Sequence, residues 1–384
     1  MRVDEQGENR HTLTMSVLRG FADLRVSNLV AASLERVDPL GTQFRPLEPL
    51  ERAEVRRPEA ASPRDGLVVM TWNIKFGGGR IDFFFDGHDD RVHLTEFEVI
   101  NHLHGVAKKI RHVDPDILLL QEIDRRSRRV AGVDQLQWLL DHTDLSYGVY
   151  GSSWRARWMP AYNLGPVDMG NAILSKWPLL DGLRIDLPQM TDQPPLVNYF
   201  YLRRNLVTAR IEVPGKAPVQ VVNVHAEAFS RDHTKREQIL RFAAELDRID
   251  NAGGCVIGGG DLNTLPPHSR RRYGFEDAVQ TEEHFQGSDY RHEEGWLDAL
   301  YDRYTPAVSL EDYARDNTPH FTHSTHSGTF WNRKLDYLFT NSMFHEGSAV
   351  THQDEASGGM QTMPLSDHAP LSASLIVPEG PRSL

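Results

Sequence analysis

The chain has 384 residues, 39% hydrophobic and 25% charged, with a formal net charge of −12 at pH 7. That length suits one large domain with an extension, or two domains, and no apolar run approaches a membrane span. The acidic balance argues against a non-specific grip on a polyanion, because duplex binding rests on Lys and Arg neutralising phosphates; a local basic groove or a charge-offsetting cation stays open.

Cys255 is the single cysteine, so no intramolecular disulfide forms. Residues 1–6 lead into polar sequence, without the apolar stretch of a secretory signal, and a cytoplasmic location is expected. Residues 1–64 read as a helical extension and linker. Leu13, Val17, Leu18, Phe21, Leu24, Leu29 and Leu34 recur at roughly helical spacing. Residues 39–64, rich in Pro, Glu and Arg, read as a linker or surface strap, and the main domain is expected over 65–380.

Residues 67–74 predict a strand that reaches Asn73. The Gly77-Gly78-Gly79 run lacks the following Gly-Lys-Ser/Thr of a phosphate loop, and the aromatic stretch 81–87 has no assigned role. Leu94, Phe97, Ile100, Leu103, Val106 and Ile110 predict a helix over 94–111. Residues 117–122 then predict a buried strand ending on Glu122, followed by Arg125, Arg126, Arg128 and Arg129 as a solvated loop or a phosphate-facing patch. A helix over 132–140 and strands over 147–151 and 169–175 come next. Trp154, Trp158, Tyr162 and Asn163 lie between the two strands in a predicted long loop.

Residues 206–213 and 219–224 predict a hairpin turned by Pro214-Gly215-Lys216, which delivers Asn223 and His225. A helix over 234–249 leads into Cys255-Val256-Ile257-Gly258-Gly259-Gly260-Asp261-Leu262-Asn263. Its apolar start predicts a buried strand, and the glycines are expected to let the backbone leave the sheet without Cβ clashes. Asp261 and Asn263, two apart, would point the same way on strand-like backbone. Residues 266–320 are polar and irregular. Strands over 335–339, carrying Asp336, and over 371–377, preceded by Ser366-Asp367-His368, complete the pattern.

One layout recurs: an apolar strand, then an acid or amide at its end, where ligands of layered α/β proteins collect. Collected, Asn73, Glu122, Asn171, Asn223, His225, Asp261, Asn263, Asp336, Asp367 and His368 suit phosphoester hydrolysis. Hard oxygen ligands such as Glu122 suit magnesium, or manganese in its place, rather than zinc. An Asp beside a His fixes the ring's tautomer and raises its basicity. Amide and imidazolium donors stabilise charge growing on phosphoryl oxygens. His320, His323 and His326, spaced by three, match neither a common zinc finger nor the two-His helix motif and read as a polar loop.

The ordered set Trp72-Asn73, Leu120-Gln121-Glu122, Gly170-Asn171-Ala172, Asn223-Val224-His225, Gly260-Asp261-Leu262-Asn263, Lys334-Leu335-Asp336-Tyr337 and Ser366-Asp367-His368 resembles the endonuclease/exonuclease/phosphatase superfamily over about residues 66–378. That group includes pancreatic-type DNases, AP endonucleases, neutral sphingomyelinases and inositol-polyphosphate 5-phosphatases. The resemblance implies a four-layer α/β/β/α sandwich, two packed mixed β-sheets with helices outside. It implies Glu122 as principal magnesium ligand with Asn73 and Asp367 nearby, and His225, Asp261, Asp336 and His368 as catalytic groups. Asn171, Asn223, Asn263 and Thr329 would contact phosphate. The implied substrate is a phosphoester: a small molecule, a lipid headgroup or a nucleic acid. Val224 replaces the usual Thr of Asn-Thr-His, at a position that should point away from the site. Every chemical position holds a competent residue, which weighs against a non-catalytic scaffold of the same fold.

Overall fold

The computed structural model describes residues 44–57, 64–81, 91–159, 164–191, 194–230, 232–275, 289–324, 330–354 and 361–380. The helical stripe over 13–34, Thr329, Tyr162, Asn163, His326 and most of the aromatic stretch lie outside these residues.

The chain runs β1 (Leu47–Pro49), β2 (Glu51–Glu54), β3 (Leu67–Asn73), α1 (Glu96–Val113), β4 (Ile117–Asp124), α2 (Gln135–His142), β5 (Tyr147–Met159), β6 (Gly165–Ser175) and β7 (Leu179–Asp186). It continues through α3 (Pro195–Phe200), β8 (Asn205–Ile211), β9 (Val219–His225), α4 (Thr234–Asn251), β10 (Cys255–Asp261), α5 (Asp298–Arg303), β11 (Thr305–Pro306) and α6 (Leu310–Arg315). Then come β12 (Asp336–Thr340), β13 (Met343–Phe344), β14 (Val350–Thr351) and β15 (Leu371–Ile376). One sheet has the order β1-β7-β8-β9-β10-β12-β11; the other runs β13-β15-β3-β4-β6-β5-β2, with β14 on β15.

Each sheet holds one parallel pair, β9/β10 in the first and β3/β4 in the second, and the flanking pairs are antiparallel. Parallel neighbours need a crossover, and α4 and α1 supply the two. Period-2 alternation then assigns the layers. Val69, Ile117, Leu119, Ile173, Val207, Val221, Ile257 and Leu338 meet between the sheets. Met70, Trp72, Leu118 and Leu120 turn outward under α1 and α2, while Val222, Val224 and Val256 turn outward under α4 and α5. The result is the expected α/β/β/α sandwich. Among the described residues no helix is long and apolar enough to cross a membrane.

Helix boundaries follow local chemistry. Thr95 and Glu98 form a reciprocal capping box at the start of α1, and Asp134 caps α2. Two expectations are corrected. Of the two readings of residues 39–64, linker or surface strap, the linker falls: the stretch supplies β1, paired with β7, and β2, paired with β5, so a short strap edges both sheets. Short charged edge strands carry little hydrophobic alternation, which hid them. Most of the predicted loop with Trp154 and Trp158 is strand: β5 and β6 pair as far as Met159 and Gly165, through two register shifts that blur the alternation.

Candidate active site

The inter-sheet core turns polar in its last layer. Asn73, Gln121, His225 and Asp261 continue the inward-facing positions of β3, β4, β9 and β10 at those strands' carboxyl ends. Asp336, at the amino end of antiparallel β12, shares that edge. Register sets His225 opposite Asp261 on one side and Asp336 opposite it on the other, while Asn73 stands opposite Gln121 in the facing sheet.

Asp261 Oδ2 is the hub of this layer. It accepts a hydrogen bond from Asn73 Nδ2 at 3.2 Å and lies 3.4 Å from His225 Nε2 and 3.5 Å from His368 Nε2. His368 Nδ1 donates to Asp336 Oδ2 at 2.8 Å, which fixes Nε2 toward Asp261. Trp72 Nε1 holds the His368 carbonyl at 2.8 Å, and Ser366 Oγ bridges the Asn73 carbonyl to the His368 amide. All of these side chains are buried.

Burial pushes the Asp261 carboxyl well above the usual Asp range, with the His368 charge pulling the other way. For His368, burial opposes the charge, but Asp336 and Asp261 outweigh it and raise the imidazole. His225 is held well below the usual His range by burial, then by the Arg204 and His368 charges. The layer therefore offers a carboxylate that accepts a proton near neutrality, beside a charged and a neutral imidazole.

Glu122 reaches the edge through a bulge. Gln121 and Glu122 of β4 together face Asn171 of β6, and Glu122 takes a left-handed φ of 52°. The carboxylate accepts from Asn73 Nδ2 at 3.2 Å. Burial raises its pKa, and the Asp367 charge raises it further. Asp367 itself is pushed up by burial, but Lys75, 4.0 Å away, and the neighbouring imidazoles outweigh this and hold it low. Two carboxylates that repel across a hard-oxygen pocket fit a divalent cation. The Asn73 amide nitrogen faces both Glu122 and Asp261, while its oxygen accepts from Lys75 N. Asp261, Asp336 and His368 also offer ligand atoms within 4.8 Å of one another, a spacing that could hold a metal, yet His368 Nδ1 is spent on Asp336.

The amides divide. Asn263, at φ 50°, donates its backbone N–H to Asp261 Oδ1 and Nδ2 to the Ala226 carbonyl. Its carbonyl is gripped at 2.8 Å by Lys235, which is paired with Glu293. Asn171 Nδ2 donates to the Asn205 carbonyl. Asn223 is a correction: Nδ2 donates to the Leu120 and Ala172 carbonyls and Oδ1 accepts from Gln121, so its whole amide ties the two sheets and none of it faces a ligand. The arginine cluster, read as a solvated loop or a phosphate-facing patch, divides: Arg126 and Arg128 are exposed, as a solvated loop has them, and the other two are not. Arg129 is buried against Asp124, and Arg125 pairs with Asp134 and Glu51; both brace loops. His323, read as part of a polar loop, is buried and packs its ring 4.5 Å from that of His368.

Lys75, Gln121, Arg204 and Asn205 carry no signal in the sequence that marks them as site residues. Arg204 and Asn205 stand at the start of β8, which is antiparallel to β9, so the same edge of the sheet meets a strand's beginning there. Searching strand ends alone passes over them. The glycines of β10 stay in the sheet, paired on both sides. A Cβ on Gly260, at φ 137°, would lie 1.9 Å from the Val224 carbonyl oxygen, so close strand approach is what the site demands of it.

A family profile described as Endonuclease/Exonuclease/phosphatase family matches residues 70–368. The chain belongs to this family, a class of phosphoester hydrolases. It is 26% identical over 236 residues to a 5'-tyrosyl-DNA phosphodiesterase of Caenorhabditis elegans, a match covering 60% of this chain and 51% of that protein, so the chain spans about half the length of that relative. An endonuclease/exonuclease/phosphatase from Beutenbergia cavernae DSM 12333 shares the fold with a TM-score of 0.54 at 20% identity, over 83% of this chain and 74% of that one. A truncated TDP2 from Caenorhabditis elegans overlays with a TM-score of 0.45 at 18% identity, over 81% of this chain and 97% of that one.

Proposed function

We propose that this chain is a magnesium-dependent phosphodiesterase, with manganese as a substitute, whose catalytic body begins at the strap and runs to about residue 380. The observation that carries this reading is the convergence of Asn73, His225 and His368 on one Asp261 oxygen, with Asp336 behind His368.

Asp261 takes a proton from the attacking water; its raised pKa suits a base near neutral pH. His368, kept charged by Asp336, donates to a phosphoryl oxygen, and neutral His225 offers a second donor or acceptor. Asn263 and Asn171, each with one amide N–H beyond the one given to Ala226 or Asn205, are assigned to phosphate oxygens, as is Thr329. A cation held by Glu122 and Asp367, with Asn73 between carboxylates, supplies positive charge to the phosphoryl group when bound. The ester oxygen leaves as the phosphorus–water bond forms and takes its proton from solvent. The relative named for 5'-tyrosyl-DNA makes an aryl ester of a 5'-phosphorylated oligonucleotide the first natural-type substrate to try.

The test is hydrolysis of bis-p-nitrophenyl phosphate with magnesium, manganese or a chelator, wild type beside His368→Ala. Release that needs the cation and falls by ~10²-fold or more in the variant is expected. Equal release in chelator, or an unaffected variant, would sink the assignment.

A further inference from the structure

Next to the site lies a cavity of about 180 Å³ whose wall runs from Leu265, four residues past Asp261, to Arg333, three residues before Asp336. The Arg333 strand segment bridges to His323, whose ring meets His368, so cavity and catalytic layer share a wall. Arg270, Arg271 and Arg333 line the cavity and, among the described residues, no carboxylate does, although acids outnumber bases by 54 to 42 in the chain. Local charge opposite to the molecule's own marks a place that attracts anions.

Two further observations point to an occupant. Arg272 stands behind the wall with both terminal guanidinium nitrogens buried and without a hydrogen-bond partner among the described residues, and its charge reaches Tyr313 on the lining. Buried cations without partners are rare in finished proteins. The lining is also aromatic: Trp331 is partly exposed beside Tyr313 and Phe321, with Asn317 and Asn332 between them. Flat rings, amides and guanidinium groups together are the chemistry that holds a nucleobase and its phosphate.

We propose that this cavity is a subsite for a nucleotide flanking the scissile phosphate, its base against Trp331 and its phosphate on Arg270 and Arg271. The inference rests on the phosphodiesterase reading above and makes the substrate a nucleic-acid strand instead of a small monoester or lipid headgroup. Arg270 and Arg271 are exposed, and the contacts of Arg271, to the Gly274 carbonyl and the Phe275 ring, are local to its own loop, so an unchanged melting curve is expected of their removal and is measured with it.

The experiment compares wild type with the double variant Arg270→Ala/Arg271→Ala and with Trp331→Leu. Turnover is measured on bis-p-nitrophenyl phosphate and on a pentanucleotide carrying a 5'-p-nitrophenyl phosphate ester. Binding of a fluorescent pentanucleotide in chelator is measured beside inorganic phosphate as competitor. Expected are a loss of about tenfold or more in kcat/KM on the pentanucleotide ester, unchanged bis-p-nitrophenyl phosphate turnover, and a shallower salt dependence of binding in the double variant. Equal effects on both substrates, or none on either, would overturn the subsite. So would displacement of the pentanucleotide by phosphate as readily as by nucleotide. A wild type that binds the pentanucleotide but hydrolyses neither ester would instead overturn the phosphodiesterase reading.

Discussion

Glu122 and His368 illustrate how single side chains are set by their neighbours. Burial and the Asp367 charge raise the Glu122 pKa, so the carboxylate costs stability whenever no cation offsets it. Glu122→Gln should lower cation-dependent turnover by ~10²-fold or more while keeping or raising Tm in chelator. Magnesium should raise Tm in wild type only; a variant stabilised by magnesium as strongly as wild type contradicts the ligand assignment. His368 is charged because Asp336 and Asp261 together outweigh its burial. Asp336→Asn removes that support, so the folded-state pKa of His368 falls and the protonated form is lost at lower pH. The alkaline limb of kcat/KM should therefore move to lower pH, and the acid limb, set by the Asp261 carboxyl that Asp336 also raises, should not move to higher pH. An alkaline limb that stays in place would show that His368 does not work as the acid.

At the scale of elements, the two parallel pairs carry the design, and β10 shows how tightly. Gly260→Ala would press a methyl onto the Val224 carbonyl at a φ that L residues avoid, costing on the order of 4 kcal/mol or more. Loss of soluble protein or a sharply lowered Tm is expected, and a wild-type melting curve would contradict the close approach. Much of this was legible beforehand. The apolar runs ending in Asn73, Glu122, His225 and Asp261 stand out because strands buried on both faces read as continuous hydrophobic stretches. What stayed hidden had other physical causes. Asn223 looks like its neighbours in sequence, and only sheet-to-sheet geometry shows its amide fully spent. Arg204 and Asn205 begin a strand, and the bulge that turns Glu122 outward leaves no residue signature.

For the whole molecule, the strap is the device to test. β1 closes the β7 edge of one sheet and β2 the β5 edge of the other, while Glu51 pairs with Arg125 and Arg155. Deleting residues 1–57 would bare both edges at once and take Glu51 from Arg125 and Arg155, leaving each with a single acidic partner, Asp134 and Asp168. A Tm lower by several degrees, on the order of 5 °C, and self-association on size-exclusion chromatography are expected. An unchanged, monodisperse truncation would reduce the strap to decoration.

The Asn223 amide joins Leu120 and Ala172 of the opposite sheet directly beneath the reacting groups. A change there disturbs both halves of the sandwich together, so the chemistry can be inherited only as a block. New specificity has to arise instead in the loops above it, where Trp331 and the run Arg270-Arg271-Arg272 sit on irregular backbone. A change of substrate is thus expected to be written in the rim, over a floor whose two sheets move only together.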